Sequence, residues 1–194
     1  MARKAEIKRT TKETDIQIIL EIDGSGKSEV NTGIGFFDHM LTAFAVHGGF
    51  DLTVKCTGDL NVDGHHTVED VGICLGKAFS EALGDKSGIM RYGSAFIPMD
   101  EALAFCSLDI SARPFLVFNA MFSCERIGDY DVCLTEEFMR AFAFNAGITL
   151  HLRSEYGKND HHITEALFKS LAYAVKQAIC ISGNRTAISS KGVI

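Results

Sequence analysis

The side chains best equipped for chemistry fall in two pentads, His65-His66-Thr67-Val68-Glu69 and His161-His162-Ile163-Thr164-Glu165, which start 96 residues apart. Beyond each Glu, in 70–83 and 166–179, apolar residues recur at helical intervals, so each pentad is expected to open a helix. Residues four apart share a helix face, which sets His65 with Glu69, and His161 with Glu165, to grip one ion from one side. Adjacent residues diverge by about 100°. His66 and His162 therefore face a second direction, suited to a second ion. Imidazole and carboxylate donors together suit Mn, Fe or Zn, and the lack of a thiolate set argues against a structural zinc site. These residues alone leave the choice among the metals open.

The elements that carry the pentads read as a programme run twice. Loose alternation over 7–23, a break at Gly24-Ser25-Gly26 and a resumption at 30–32 predict a hairpin. A helix at 36–47, a strand at 50–57 and a loop at 58–64 then lead into the first pentad helix. In the second half, 102–110 and 114–122 read as another hairpin, 135–145 as a helix and 148–153 as a strand. Ala43-Phe44-Ala45 matches Ala141-Phe142-Ala143, Gly49 matches Gly147 and Leu52 matches Leu150, each 98 residues on. The expected fold is α+β: an internal duplication of sheet-plus-helix halves packed as a pseudo-two-fold unit, with helices on one face of each mixed sheet. The whole chain, 1–194, is expected to be one catalytic domain of two repeats, about 7–85 and 90–182, with a short C-terminal tail.

A chain of 194 residues can bury a sizeable core without staples. Its six Cys are scattered singly through apolar runs, which favours reduced core thiols. Net charge is −6 and no basic stripe is interleaved with aromatics, so neither nucleic acid nor an anionic membrane is an expected partner. No apolar run approaches the ~20 residues of a membrane span, and a cytoplasmic location is expected. Gly26-Lys27-Ser28 mimics a phosphate loop, but Glu21 stands where its first glycine belongs. The run 59–64 mimics a calcium loop, but Asp70 replaces the bidentate Glu and the preceding segment reads as strand.

Four motifs in order resemble the imidazoleglycerol-phosphate dehydratase family: Thr32-Gly33-Ile34-Gly35-Phe36-Phe37-Asp38-His39-Met40-Leu41, the first pentad with Asp70-Val71-Gly72, Ala112-Arg113-Pro114-Phe115, and Asn159-Asp160 with the second pentad and Ala166-Leu167-Phe168-Lys169. The likeness runs from about Thr11 to the C-terminus. Gly35, Phe37 and Ser190 depart from the usual Pro, Leu and Thr, and none is a metal-ligand position. The resemblance implies two Mn ions per site. One would take His65, Glu69, His151 and His162, and the other His39, His66, His161 and Glu165. It also implies a large cubic-symmetric homo-oligomer whose sites are shared between subunits, and a phosphate grip of Arg91, Arg113, Lys169, Ser189, Ser190 and Lys191. Glu13 and His47 match active-site positions of the family.

The implied reaction is dehydration of imidazole glycerol phosphate to imidazole acetol phosphate in histidine biosynthesis. The carbon that loses its proton has no adjacent carbonyl, so the imidazole itself must take up the charge as a metal-bound imidazolate. Glu13 is the candidate for proton transfer, with His47 near the leaving or phosphate end and Glu69 and Glu165 as catalytic metal ligands. Two rival readings are a dinuclear phosphoesterase and a non-enzymatic, metal-binding shell protein. The first is disfavoured by a His-dominated, Asp-poor donor set, and the second by the apparent phosphate grip.

Overall fold

The computed structural model describes residues 3–182. Its first half runs β1 (Lys4–Thr10), β2 (Thr14–Glu21), β3 (Ser28–Asn31), α1 (Gly35–Gly48), β4 (Asp51–Gly58) and α2 (His65–Leu83). Its second half runs β5 (Tyr92–Met99), β6 (Ala102–Asp109), β7 (Phe115–Asn119), a short β8 (Arg126–Ile127) and β9 (Tyr130–Asp131), then α3 (Leu134–Ala146), β10 (Thr149–Tyr156) and α4 (Asp160–Ile179). Each half builds one four-stranded mixed sheet, ordered β1-β2-β4-β3 and β5-β6-β10-β7. The orders correspond strand for strand. Among the described residues only the β8–β9 ribbon has no counterpart, and the duplication expected from the pentads is present in the topology.

Both expected hairpins pair differently. The 7–23 run is itself a hairpin, β1 against β2, turned at 11–13, where Thr11 Oγ1 accepts the backbone N–H groups of Glu13 and Thr14 at 3.1 and 3.0 Å. The strand after the Gly-Ser-Gly break lies parallel to β4. In the second half β6 pairs with β5 and β10, and β7 lies parallel to β10. Alternation marks a strand but not its partner, and β5, broken up by Gly93 and Pro98, is weakly marked.

Period-two burial is clear along β2 and β6, which each bury every second residue. The buried faces look inward onto four helices. Helix α2 packs on β1 and β2, and α4 on β5, β6 and β10; α1 lies along β3 and β4, and α3 along β7. The halves then interlock, α1 against α4 and α2 against α3. One continuous core results, with Phe37, Phe44, Phe79, Phe138, Phe142 and Phe168 fully buried in it. The outward faces differ. That of the first sheet carries Lys8, Asp15, Gln17, Glu29 and Lys55, while that of the second carries exposed Phe96, Phe115 and Val117.

Two glycines set the approach of α2 to α3. A Cβ on Gly72 would lie 2.8 Å from Ala141 Cβ and 3.0 Å from the Phe138 carbonyl; on Gly76 it would meet the Phe142 carbonyl at 2.6 Å and the Ala146 nitrogen at 2.9 Å. Helix propensity alone favours Ala over Gly by about 1 kcal/mol. Overpacking against backbone that cannot yield costs about 1–3 kcal/mol. Gly76→Ala is therefore expected to lower stability, read as an earlier midpoint in denaturant unfolding. A later midpoint would show that the crossing tolerates a methyl group.

Candidate metal centre

Both pentads do open helices, with matching entry. Asp63 Oδ1 accepts the backbone N–H of His65 at 2.8 Å, and Asn159 Oδ1 accepts that of His161 at 3.0 Å. Such Asx contacts supply acceptors for the orphan amides of a first helical turn. Behind Asn159, Asp160 is buried and accepts from the Ser123 amide and hydroxyl and from the Cys124 amide.

The interlock of α1 with α4 brings His39, His161 and Glu165 together. Glu165 Oε2 is 3.5 Å from His39 Nε2 and 3.3 Å from His161 Nε2, and the two rings stand 5.8 Å apart. One atom from each of the three lies within 4.8 Å of the others, in the only such group of three or more metal-ligand types among the described residues. Phe36 walls one side, its ring 4.9 Å from that of His161. Two ring nitrogens and a carboxylate oxygen converging without a thiol match the donor preference of manganese, iron or zinc.

The same exchange of helices does not produce a second triad. His65 Nε2 lies 3.9 Å from Glu69 Oε2. The helix opposite is α3, where the residue matching His39 is Glu137, held by Arg140 at 3.8 Å. His66 and His162 turn away from their neighbours as expected, with rings at 90° and 82° to those of His65 and His161. Each is met by carboxylates. His66 Nδ1 lies 3.0 Å from Asp59 Oδ2, and its Nε2 3.8 Å from Glu13 Oε1. His162 Nδ1 lies 2.7 Å from Glu101 Oε2, and its Nε2 3.8 Å from Asp100 Oδ2. Hydrogen bonds donated to Asp59 and Glu101 raise the two imidazoles above the ordinary histidine range. That of His162, with the Asn159 and Lys158 amides, holds Glu101 down at about 2. Nothing in sequence spacing singles out Glu101, which is remote from the pentad, and Asp59 shows only as part of the calcium-loop decoy.

His151 lies apart from both clusters. It is exposed in the middle of β10, in a depression of ≈ 170 Å³ with Phe105, Val117, Asn119 and Arg153. Among the phosphate-grip candidates, Lys169 binds Glu165 Oε1 at 2.5 Å from one turn along α4 and reaches Met99 Sδ at 3.6 Å. Arg91 is buried, with Nε and Nη2 on the two oxygens of Asp109 at 2.6 and 3.0 Å. Arg113 is exposed, its backbone held by Ser111 and Thr149. Ser189, Ser190 and Lys191 lie outside the described residues. His47 sits 5.6 Å from the Tyr173 ring, and burial, then the nearby Lys169 charge, push it below the ordinary histidine range.

Comparison with known proteins decides the family. The model of the imidazoleglycerol-phosphate dehydratase family matches residues 32–175. The chain belongs to this family. An imidazoleglycerol-phosphate dehydratase of Acetivibrio thermocellus is 60% identical over 92% of this chain and 91% of its own. One of Alkaliphilus metalliredigens is 55% identical over 99% of both. In structure, the dehydratase of Staphylococcus aureus superposes with a TM-score of 0.84 at 41% identity, over 92% of this chain and 99% of that one. The enzyme of Pyrococcus furiosus, solved in complex with (S)-C348, gives 0.83 at 38% over 97% and 100%. In this family member both halves of the fold lie within the aligned region.

Glu165 offers a test of the centre's electrostatics. Burial alone would raise its carboxyl, but the Lys169 hydrogen bond and charge, with His39 and His161, pull it below the usual range. A depressed carboxyl adds stability that is present above its unfolded pKa and is lost as pH falls through the folded one. Lys169→Met should thus destabilise metal-free protein by roughly 1–3 kcal/mol at neutral pH. The gap between variant and parent should close on acidification below the ordinary Glu range. Thermal melts across pH check this, and a gap independent of pH would remove Glu165 as its cause.

Proposed function

We propose that this chain removes water from imidazole glycerol phosphate to give imidazole acetol phosphate, a hydro-lyase step of histidine biosynthesis in the cytoplasm. Family membership supports the reaction class, and the convergence of His39, His161 and Glu165 is the observation that carries the metal-dependent reading. Two manganese ions per site are proposed. His39, His66, His161 and Glu165 would hold one, and His65, Glu69, His151 and His162 the other. Manganese held by these residues would supply Lewis acidity toward the substrate's imidazole.

The chain's own residues then have separable tasks. Glu13, 3.8 Å from His66 Nε2, would take or return a proton at the glycerol carbons. His47, held toward the neutral form by burial and Lys169, can accept a hydrogen bond at the far end. Arg113 offers a forked, permanently charged contact for phosphate. Lys169, Arg91, Ser189, Ser190 and Lys191 complete the proposed grip. His151 lies on an outward sheet face, away from the other proposed ligands, which supports copies completing one another's sites, and the proposed cubic-symmetric homo-oligomer rests on the family resemblance.

Turnover of imidazole glycerol phosphate with and without added Mn, together with metal analysis, tests the reading. Two ions per chain and loss of turnover on stripping are expected, and a stoichiometry near one with full activity would overturn the two-ion site. Arg113→Ala should keep its metal while catalytic efficiency falls by the ~1.5–3 kcal/mol of a charged hydrogen bond. Glu165→Gln should lose about one ion and nearly all turnover. If Glu165→Gln kept both ions and its activity, that carboxylate would not be a ligand.

A further inference from the structure

We infer that Asp59 and Glu101 are positioning residues, each fixing the proton of one pentad histidine on Nδ1 so that Nε2 is left bare to take a metal ion. The inference rests on the two-ion reading above and adds to it residues outside the ligand set. An ionised carboxylate can only accept hydrogen bonds. Wherever Asp59 and Glu101 face Nδ1, as they do at 3.0 and 2.7 Å, that nitrogen must be the donor. In the neutral ring the single proton then sits on Nδ1 and leaves Nε2, the atom a metal would need, as the acceptor. A carboxylate on the far nitrogen also fixes ring orientation and raises basicity at the other.

The two contacts are not a relic of duplication. Asp59 follows β4, and the residue 98 positions on is Gly157. Glu101 sits in the β5–β6 turn, which matches the β1–β2 turn of the first half. Two unrelated backbone positions therefore deliver the same oxygen to the same atom of matching histidines. Descent from one repeat predicts matching positions, whereas a shared requirement at Nδ1 accounts for what is seen. Glu101 is itself held, since its Oε1 accepts the backbone N–H groups of Lys158 and Asn159 at 3.0 and 2.8 Å on the way into α4. The segment that starts the helix thereby sets the carboxylate that aims His162.

Glu101→Gln separates positioning from scaffolding. Its carbonyl can still accept from Lys158 and Asn159, but the side-chain NH2 then faces His162 Nδ1 and, as a donor, drives the ring proton onto Nε2. In full-length, metal-stripped assemblies with 15N-labelled histidine rings, at a pH alkaline enough to keep the rings neutral, solid-state NMR should show His162 protonated on Nδ1 in the parent and on Nε2 in the variant. The His162 signal is identified by its loss in His162→Asn. Titration with Mn, followed by the electron paramagnetic resonance of free ion, should show one of two sites weakened roughly 10–100-fold, with thermal stability nearly unchanged. Asp59→Ala, which leaves the α4 entry alone, should weaken the other site by a similar factor. A parent His162 protonated on Nε2, or parent-like Mn affinity at both sites in both variants, would overturn the inference. If the parent bound no Mn, the two-ion reading would fail, and the ring signals would still decide the tautomer.

Discussion

The candidate metal centre depends on the exchange of helices between the two halves. A pentad helix by itself offers one His and one Glu on a face, which is a weak grip. The third donor has to come from another element, and α1 supplies His39 only because it leans on α4 of the other half instead of its own pentad helix. The exchange is in turn a packing result, with phenylalanines filling the shared core and Gly72 and Gly76 letting α2 approach α3. Core packing and site assembly are thus one problem in this protein. A substitution that shifted either crossing would be felt at the ligands.

Charge is arranged around the histidines with the same economy. Every pentad imidazole has a carboxylate close by, so the cluster favours cation binding before any ion arrives. The arrangement has an electrostatic cost, because the same carboxylates favour protons on His66 and His162, with which an incoming cation would have to compete. Lys169 relieves part of the negative density at Glu165 by direct pairing. A phosphate arriving at Lys169 would compete with Glu165 for that cation.

The pentads, their helices and the duplication were legible in the sequence because helical periodicity and repeated residues are local signals. Sheet partners were not, since alternation along 7–23 or 102–110 is blind to which strand lies beside it. The convergence of His39 with His161 and Glu165 needed a tertiary contact between α1 and α4, and only family resemblance pointed to it in advance. Asp59 and Glu101 escaped notice for a related reason. Their role is defined by which ring nitrogen they touch, and nothing in residue type or spacing records that. Arg91 shows the opposite limit: family resemblance pointed it to phosphate, and the fold gives it Asp109 as well.

His39 and Glu137 occupy matching places in α1 and α3, and they differ. Two identical half-length chains paired about a true two-fold axis would be forced to carry the same residue at both places, and hence the same set of ligands around both pentads. Fusing the halves into one polypeptide lifts that obligation. Each copy is free to mutate alone, so one crossing can keep an imidazole while the other takes a carboxylate tied to Arg140. Inequality between the two pentad surroundings is thus something that a symmetric pair of identical half-chains could not have acquired.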